Sequence, residues 1–398
     1  MTTPTTPNTR TARTARTART ALSTLTARTA PPVTATTPVY RALFCDLRTD
    51  QVIDVLPLTE TKFDDYIGKP GSLTATIPLP GPALAQRARL ALQPGRTAVW
   101  LERDGDIWWG GVLWTRTPQS DEQGRMRVQF QAGTFDSYLD HRILSGDLFG
   151  TATDQFDIVR TLLGHAQEQP GGDIGISAGP ELSGVVRNYS YGWSSLARIR
   201  ELIDQLAQLA DGFEWRVHCH RDAQGRRVKR LQLGSPAIVT GHTDLVLDQP
   251  GAVISYNLPA DSTVQANVWV ARGESANTDQ SQESLPLTAR AESAQDIAEG
   301  WPRLESTSDH SSVQDEAVLA SFARAELARQ RRPEVIPELT VRMDGRVTPA
   351  LLGARIRLRL HDLWHPNGSD HRYRIVGLAV TPPQRTAAET ATLYLEEV

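Results

Sequence analysis

The feature that most constrains this chain begins at Val39, where short runs alternate apolar and polar residues and stop at turn residues. The runs are Tyr40 to Leu47, Gln51 to Leu56, Ser72 to Pro78, Thr97 to Arg103, Ile107 to Thr115 and Arg125 to Thr134. Val, Ile, Thr, Trp and Phe at period two make strands with one buried face, and Asp104-Gly105 and Glu122-Gln123-Gly124 supply hairpin turns. Residues 39–149 therefore read as a small antiparallel β-barrel, since closing a sheet removes its unpaired edges.

The pattern returns at the far end. Ala252 to Asn257 and Val264 to Arg272, then Glu338 to Met343, Arg355 to Leu360, Arg372 to Thr381 and Ala391 to Glu396 read as strands of a second barrel over residues 248–398. A helix over 312–331 interrupts it, started by the capping box Ser312-Val313-Gln314-Asp315, carried by Leu319, Phe322, Leu327 and Ala328, and stopped at Pro333. The polar stretch from Gly273 to Ser284 has no pattern.

Between them, residues 150–247 mix periods and read as an α+β insertion. Asp154 caps a helix carrying Phe156, Val159, Leu162 and Leu163, and Ser194 or Ser195 caps a second whose stripe is Leu196, Ile199, Leu202, Ile203, Leu206 and Leu209, ending at Gly212. Gly212 to His218 and Val228 to Leu233 flank a Gln224-Gly225 turn. The fold class is thus mainly β, with two small barrels flanking a mixed α/β domain.

Residues 1–38 are different in kind. A Thr-Ala-Arg tandem runs into a Pro and Thr stretch with few bulky apolar residues to offset the entropy of ordering, so a disordered tail is expected. Its five Arg without an acid hide a body with 37 basic against 46 acidic residues, although the whole chain is only -4. An acidic body argues against a nucleic-acid groove, which draws affinity from clustered Lys and Arg. Cys45 and Cys219 are too few for a disulfide framework and match no zinc spacing, so the core must hold the fold in a reducing compartment. No stretch approaches the roughly 20 apolar residues of a membrane span, and no apolar run follows the leading charges as in a signal peptide.

The chemistry-bearing candidates each meet an objection. Gly175-Ile176-Ser177-Ala178-Gly179 matches a nucleophile elbow, yet Gly171-Gly172-Asp173 precedes it and Pro180-Glu181 follows where a strand and a helix are required. His218-Cys219-His220 places Cys219 on the opposite strand face from both histidines. His361, Asp362, His365, Asp370 and His371 surround Pro366-Asn367-Gly368, which reads as a hairpin tip. No P-loop, dinucleotide or zinc-protease motif occurs, and no catalytic residue, cofactor or metal ligand is assigned. Trp100, Trp108, Trp109 and Trp114 fall on two adjoining strands. Adjacent Trp108 and Trp109 must face opposite ways, so at least one is expected outside the barrel as a protein contact, with Trp364 as another.

Three stretches resemble the hub-like minor tail proteins of tailed phages and prophages. The first is Gly68-Lys69-Pro70-Gly71 leading into Ser72 to Leu79 with its apolar-Pro pair. The second is Arg96 to Leu101, Asp104-Gly105 and the return strand Trp108-Trp109-Gly110-Gly111-Val112-Leu113. The third joins the helix Ser312 to Arg331 to Pro337 to Val341, Leu352 to Leu358, Tyr373 to Leu378 and Thr392 to Glu396, with Gly353 standing where the family has a Pro-Gly pair.

What the resemblance implies is a non-enzymatic structural subunit of the tail tip or baseplate hub in the virion. Such a chain forms a ring, expected as a trimer whose two barrels per chain give six similar units. Implied partners are tail-tube and distal tail proteins, the tape-measure protein and receptor-binding or fibre proteins, with DNA only in transit through the lumen. The alternatives are a carbohydrate-binding tail-tip protein that uses the Trp cluster for host attachment, and a tail-associated cell-wall hydrolase.

Overall fold

The computed structural model describes residues 37–275, 285–311, 313–332, 337–343, 345–384 and 387–398. The expected disordered tail therefore lies outside the described residues, apart from its last two, as do Ser312, Pro333 and most of the polar stretch before Ser284.

The opening strands form where alternation demands them. β1 (Tyr40–Asp46), β2 (Val52–Leu56), β3 (Thr59–Tyr66) and β4 (Ser72–Leu79) precede helix α1 (Pro82–Ala91), and β5 (Thr97–Arg103), β6 (Asp106–Ser120) and β7 (Met126–Thr134) follow it. They pair antiparallel in the order β3-β4-β7-β6-β5-β1-β2. Two of these elements, β3 and α1, went unread. Pro82 at the first position starts α1, whose Arg87 grips Asp54 of β2 through both guanidinium branches at 2.9 and 2.6 Å.

The insertion follows a 3-10 turn at Phe135–His141. It contains β8 (Leu148–Asp154), α2 (Gln155–Glu168), β9 (Ile176–Ala178), β10 (Val186–Tyr191), α3 (Ile199–Ala207), β11 (Glu214–Arg221) and β12 (Arg227–Gly234). Asp154 caps α2 as expected, accepting from the Phe156 amide at 2.8 Å. The second helix starts later than its serines suggest. Ser195 sits in a 3-10 turn, Leu196 adopts a left-handed φ of 49° that interrupts the helix, and α3 begins only at Ile199. Leu196 therefore leaves the apolar stripe and is exposed, while Ile199, Leu202, Ile203 and Leu206 stay buried.

The remaining elements are β13 (Thr240–Gln249), β14 (Val253–Asn257), β15 (Val268–Ser275), β16 (Pro286–Glu292), α4 (Ala294–Ala298), β17 (Glu305–Asp309), α5 (Glu316–Gln330), β18 (Glu338–Arg342), β19 (Ala354–Leu360), β20 (Ser369–Thr381) and β21 (Thr390–Glu397). The strand expected at Val264 to Arg272 is not part of a second barrel. It becomes β15, pairs among the described residues with β16 and β17 alone, and packs under α5 in a separate cluster of Ala266, Trp269, Ala291, Leu319 and Phe322. Helix α5 is capped by Asp315, which accepts from the Ala317 and Val318 amides, four residues into the expected helix.

The expected pair of separately closed barrels also needs correction. The two strand sets share one 13-stranded sheet that is not closed on itself among the described residues. The reason is length. β20 runs well past its pairing with β19, which stops at Arg355 opposite Arg374, and β3 takes the uncovered side through Tyr66 opposite Gly377 to Phe63 opposite Val380. One apolar core lies beneath both sets, with Phe44, Phe63, Leu73 and Phe130 from the first and Ile356, Ile375, Leu378 and Leu393 from the second. A second core seals the insertion against the other face of the first set through Trp100, Val112, Phe135, Leu162, Ile203 and Trp215. Each large side chain so buried contributes about 1.5 to 3 kcal/mol, which outweighs the surface ion pairs.

Candidate interaction surfaces

The tryptophans show how β6 is built. Its ladder to β5 slips between Leu101 and Glu102, pairing Leu101 with Trp109 and Glu102 with Ile107, so Trp108 is an extra, bulged residue. The bulge turns Trp108 and Trp109 to the same side, and both enter the same core at 8% and 2% exposure. The expectation that one of them must leave the interior is thus corrected, because strict alternation fails at a bulge. Trp109 donates to the Asp64 carbonyl at 2.9 Å, and the Arg103 guanidinium lies 4.6 Å from the Trp108 ring. Trp100 is fully buried and donates to Asp50 at 2.7 Å. Trp114 is half-buried, itself the extra residue between Leu113 and Thr115, and donates to Ser137 at 2.9 Å. A glycan platform on Trp109 has no open ring face, and of the five tryptophans singled out only Trp364, at 84%, stands clear of the chain.

Gly110 and Gly111 beside these rings are required by close approach. A Cβ on Gly110 would lie 2.8 Å from the Trp100 ring and 2.9 Å from both Cys219 Sγ and the Phe135 ring, which is where the insertion presses on the sheet. A Cβ on Gly111 would lie 2.0 Å from the Gly133 carbonyl oxygen of β7 and 2.5 Å from the Trp109 ring.

The other candidates are absorbed by structure. Ser177 sits in β9 and donates to the Lys229 carbonyl at 3.2 Å, in an element of three residues that no helix follows. His218 and His220 stack at 4.9 Å on one side of β11, and burial pushes His218 down to about 3. Cys219 points the other way, its thiol toward the Gly110 carbonyl, and burial pushes it far up. Asp362 caps the Trp364 and His365 amides and accepts from Tyr256, which holds it down at about 2, while Asp370 pairs with Arg357. Among the described residues no group of three His, Cys, Asp or Glu could hold a metal ion.

Two buried charge joints bring together residues far apart in the chain, which left no sequence signal for them. Arg200 of α3 pairs with Asp136 at 2.8 Å and Asp204 at 3.2 Å, donates to the Gly68 carbonyl at 3.1 Å, and lies 4.8 Å from the Trp215 ring. Beside it Asp65 of β3 is pushed up to about 6 by burial, which the Arg216 guanidinium at 3.6 Å offsets only in part. In the second joint Glu389 accepts from Arg103 at 2.9 and 2.7 Å and from the Tyr40 hydroxyl, fastening β1 and β5 to the end of the chain. Both joints fix how the modules sit. Exposed apolar residues remain at Val52, Ile53 and Val55 on β2, Phe149 and Val186 on the insertion, Ile254 on β14, and Leu363 with Trp364 at the β19–β20 tip.

No protein-family model and no curated protein matches this chain. Solved structures do. The 43 kDa tail protein of prophage MuSo2 from Shewanella oneidensis matches with a TM-score of 0.57 at 11% identity, over 90% of this chain and 98% of that one. The chain has a phage tail-protein fold. The tail protein from Neisseria meningitidis MC58 shares it with a TM-score of 0.55 at 14% identity, over 90% of this chain and 96% of that one. A prophage tail protein of Listeria monocytogenes EGD-e does so with a TM-score of 0.51 at 12% identity, over 90% and 95%. Each of these likenesses covers nine tenths of this chain.

Proposed function

We propose that this chain is a structural subunit of a tail, a hub-type minor tail protein that forms a ring joining the tail tube to the tip and its receptor-binding apparatus. The observation that carries the reading is likeness over nearly the full length of three tail proteins and 90% of this chain. The two strand sets are the hub units of the ring, and three copies give six of them. In this reading the chain works in the virion tail, contacts tube, distal tail and tape-measure proteins, and carries no catalytic residue. Trp364 and Leu363, exposed on a tip whose backbone Asp362 pins, are a partner contact of the kind aromatic anchors provide. Light scattering on purified protein tests the ring. A mass three times the 43.8 kDa of one chain is expected, and a monomer at every concentration and in assembled tails overturns it.

A further inference from the structure

The two strand sets are the same strand order written twice. In the first, β3-β4-β7-β6-β5 lie side by side, all antiparallel; in the second, β14-β18-β21-β20-β19 do. Taken in chain order, each set has the spatial sequence first, second, fifth, fourth, third. The fourth strand is the longest in both, β6 with 15 residues and β20 with 13. Each also carries an extra residue against the fifth strand, Trp114 between Leu113 and Thr115 in β6, and Val376 between Ile375 and Gly377 in β20. Matching these bulges aligns Thr115 with Gly377 and Pro118 with Val380. The sets part company only beyond the third strand, where β1 pairs with β5 antiparallel but β13 pairs with β19 parallel.

The duplicated strands are used unequally. In the second set the overhanging end of β20 is covered by β3, the first strand of the other set. In the first set no strand among the described residues covers the matching overhang of β6, whose Arg116 side chain reaches the Leu92 carbonyl after α1. Pairing of β6 with β5 stops at Val112 opposite Ala98, and Thr115 to Ser120 pair only with β7, with Thr115, Thr117 and Pro118 exposed. The strand that corresponds to β3 is β14, which among the described residues pairs with β18 on one side and runs into the exposed residues 259–264, where Asp261 makes a single bridge. One chain therefore holds one made junction and both halves of an unmade copy. An uncovered strand edge is a template for another chain.

We propose that a second copy of this chain fills the gap: the segment leaving β14 in one copy, Leu258 to Asp261, pairs antiparallel with Thr115 to Pro118 of β6 in the next. The register follows from the internal junction. Tracing β3 onto β14 through their partners β4 and β18 places Lys62 on Asn257, so the Asp64 and Ala379 pair becomes Pro259 with Thr117, and the Asp65 and Leu378 pair becomes Ala260 with Arg116. The contact is heterologous, so repetition around an axis closes a ring in which internal and intermolecular junctions alternate. This rests on the ring reading above and says where that ring is joined.

The test is oxidative cross-linking of full-length chains carrying Thr117→Cys with Pro259→Cys, and separately Arg116→Cys with Ala260→Cys, with scattering mass measured on the same samples. Opposed strand residues lie within disulfide reach, about 4.5 to 5.5 Å between Cα atoms. The expected result is a ladder of covalent dimers and trimers from both double variants and none from the four single ones, with Asp64→Cys/Ala379→Cys linked only within a chain. Oligomers of full mass that fail to cross-link at either pair overturn the proposed contact and leave the ring standing. A chain that stays monomeric overturns both.

Discussion

Adding one methyl group at Gly110 or at Gly111 separates two kinds of packing. At Gly110 the new Cβ would meet the rings of Trp100 and Phe135, both fully buried, and the Cys219 sulfur, each nearer than 3.0 Å. Overpacking of this kind costs about 1 to 3 kcal/mol. Removing glycine from a strand returns about 0.5 to 1 kcal/mol. Gly110→Ala should therefore lose up to about 2.5 kcal/mol, and Cys219→Ala in the same chain should recover part of it. At Gly111 the obstacle is the Gly133 carbonyl at 2.0 Å, a backbone atom of the neighbouring strand. Relief requires β6 and β7 to separate locally, giving up ladder hydrogen bonds worth about 1 kcal/mol each while the Trp109 ring also shifts. Gly111→Ala should lose about 3 kcal/mol or more. Urea unfolding followed by tryptophan fluorescence measures both, with Gly105→Ala as a control whose Cβ meets nothing within 4 Å and carries only the strain of φ 97°. If Gly111→Ala unfolds within 0.5 kcal/mol of the parent, or if Gly110→Ala proves the more damaging, the account of how β6 packs is wrong.

Other outcomes follow from the same contacts. Because burial raises the Asp65 carboxyl to about 6, the folded state gains stability from its bound proton in acid and loses it as pH rises from the ordinary carboxylate value through 6; Asp65→Asn should flatten that slope between about pH 4 and 6.5 in denaturation curves. Glu389→Ala leaves Arg103 and Tyr40 without their acceptor and should cost about 2 to 3 kcal/mol by urea unfolding, with Glu389→Gln recovering a part. Trp109→Ala should cost about 3 to 5 kcal/mol through the cavity it leaves. Trp364→Ala should leave stability within about 0.5 kcal/mol yet reduce incorporation into tails, scored by immunoblot of purified particles.

How far the sequence could be read depends on which forces act locally. Strands with an apolar face, such as β1, β5 and β7, were visible because alternation and turn chemistry sit in neighbouring residues. β3 was not, since Thr59–Tyr66 is mostly polar and buries only Thr61 and Phe63 deeply; its place is set by β4 and β20 on either side. The pairing of β3 with β20 joins residues more than 300 apart, and nothing near either strand announces it. Trp108 and Trp109 were misread for a related reason. A bulge is a property of two strands together, so one strand's sequence keeps the alternation that the pair abandons. Leu196 belonged to a helical stripe by spacing and left it by backbone conformation. The opposite facing of Cys219 and its two flanking histidines was legible, because alternation along one regular strand is local.

The central claim is that three copies of this chain form a tail ring with six like strand sets. Electron cryomicroscopy of assembled tails tests it most directly. The account predicts a ring at the tip in which three copies fit the density, with β3–β20 junctions inside each chain alternating with contacts between chains at β6. Tails whose density has no place for this chain, or a ring built from a number of copies that does not give six strand sets, would contradict it.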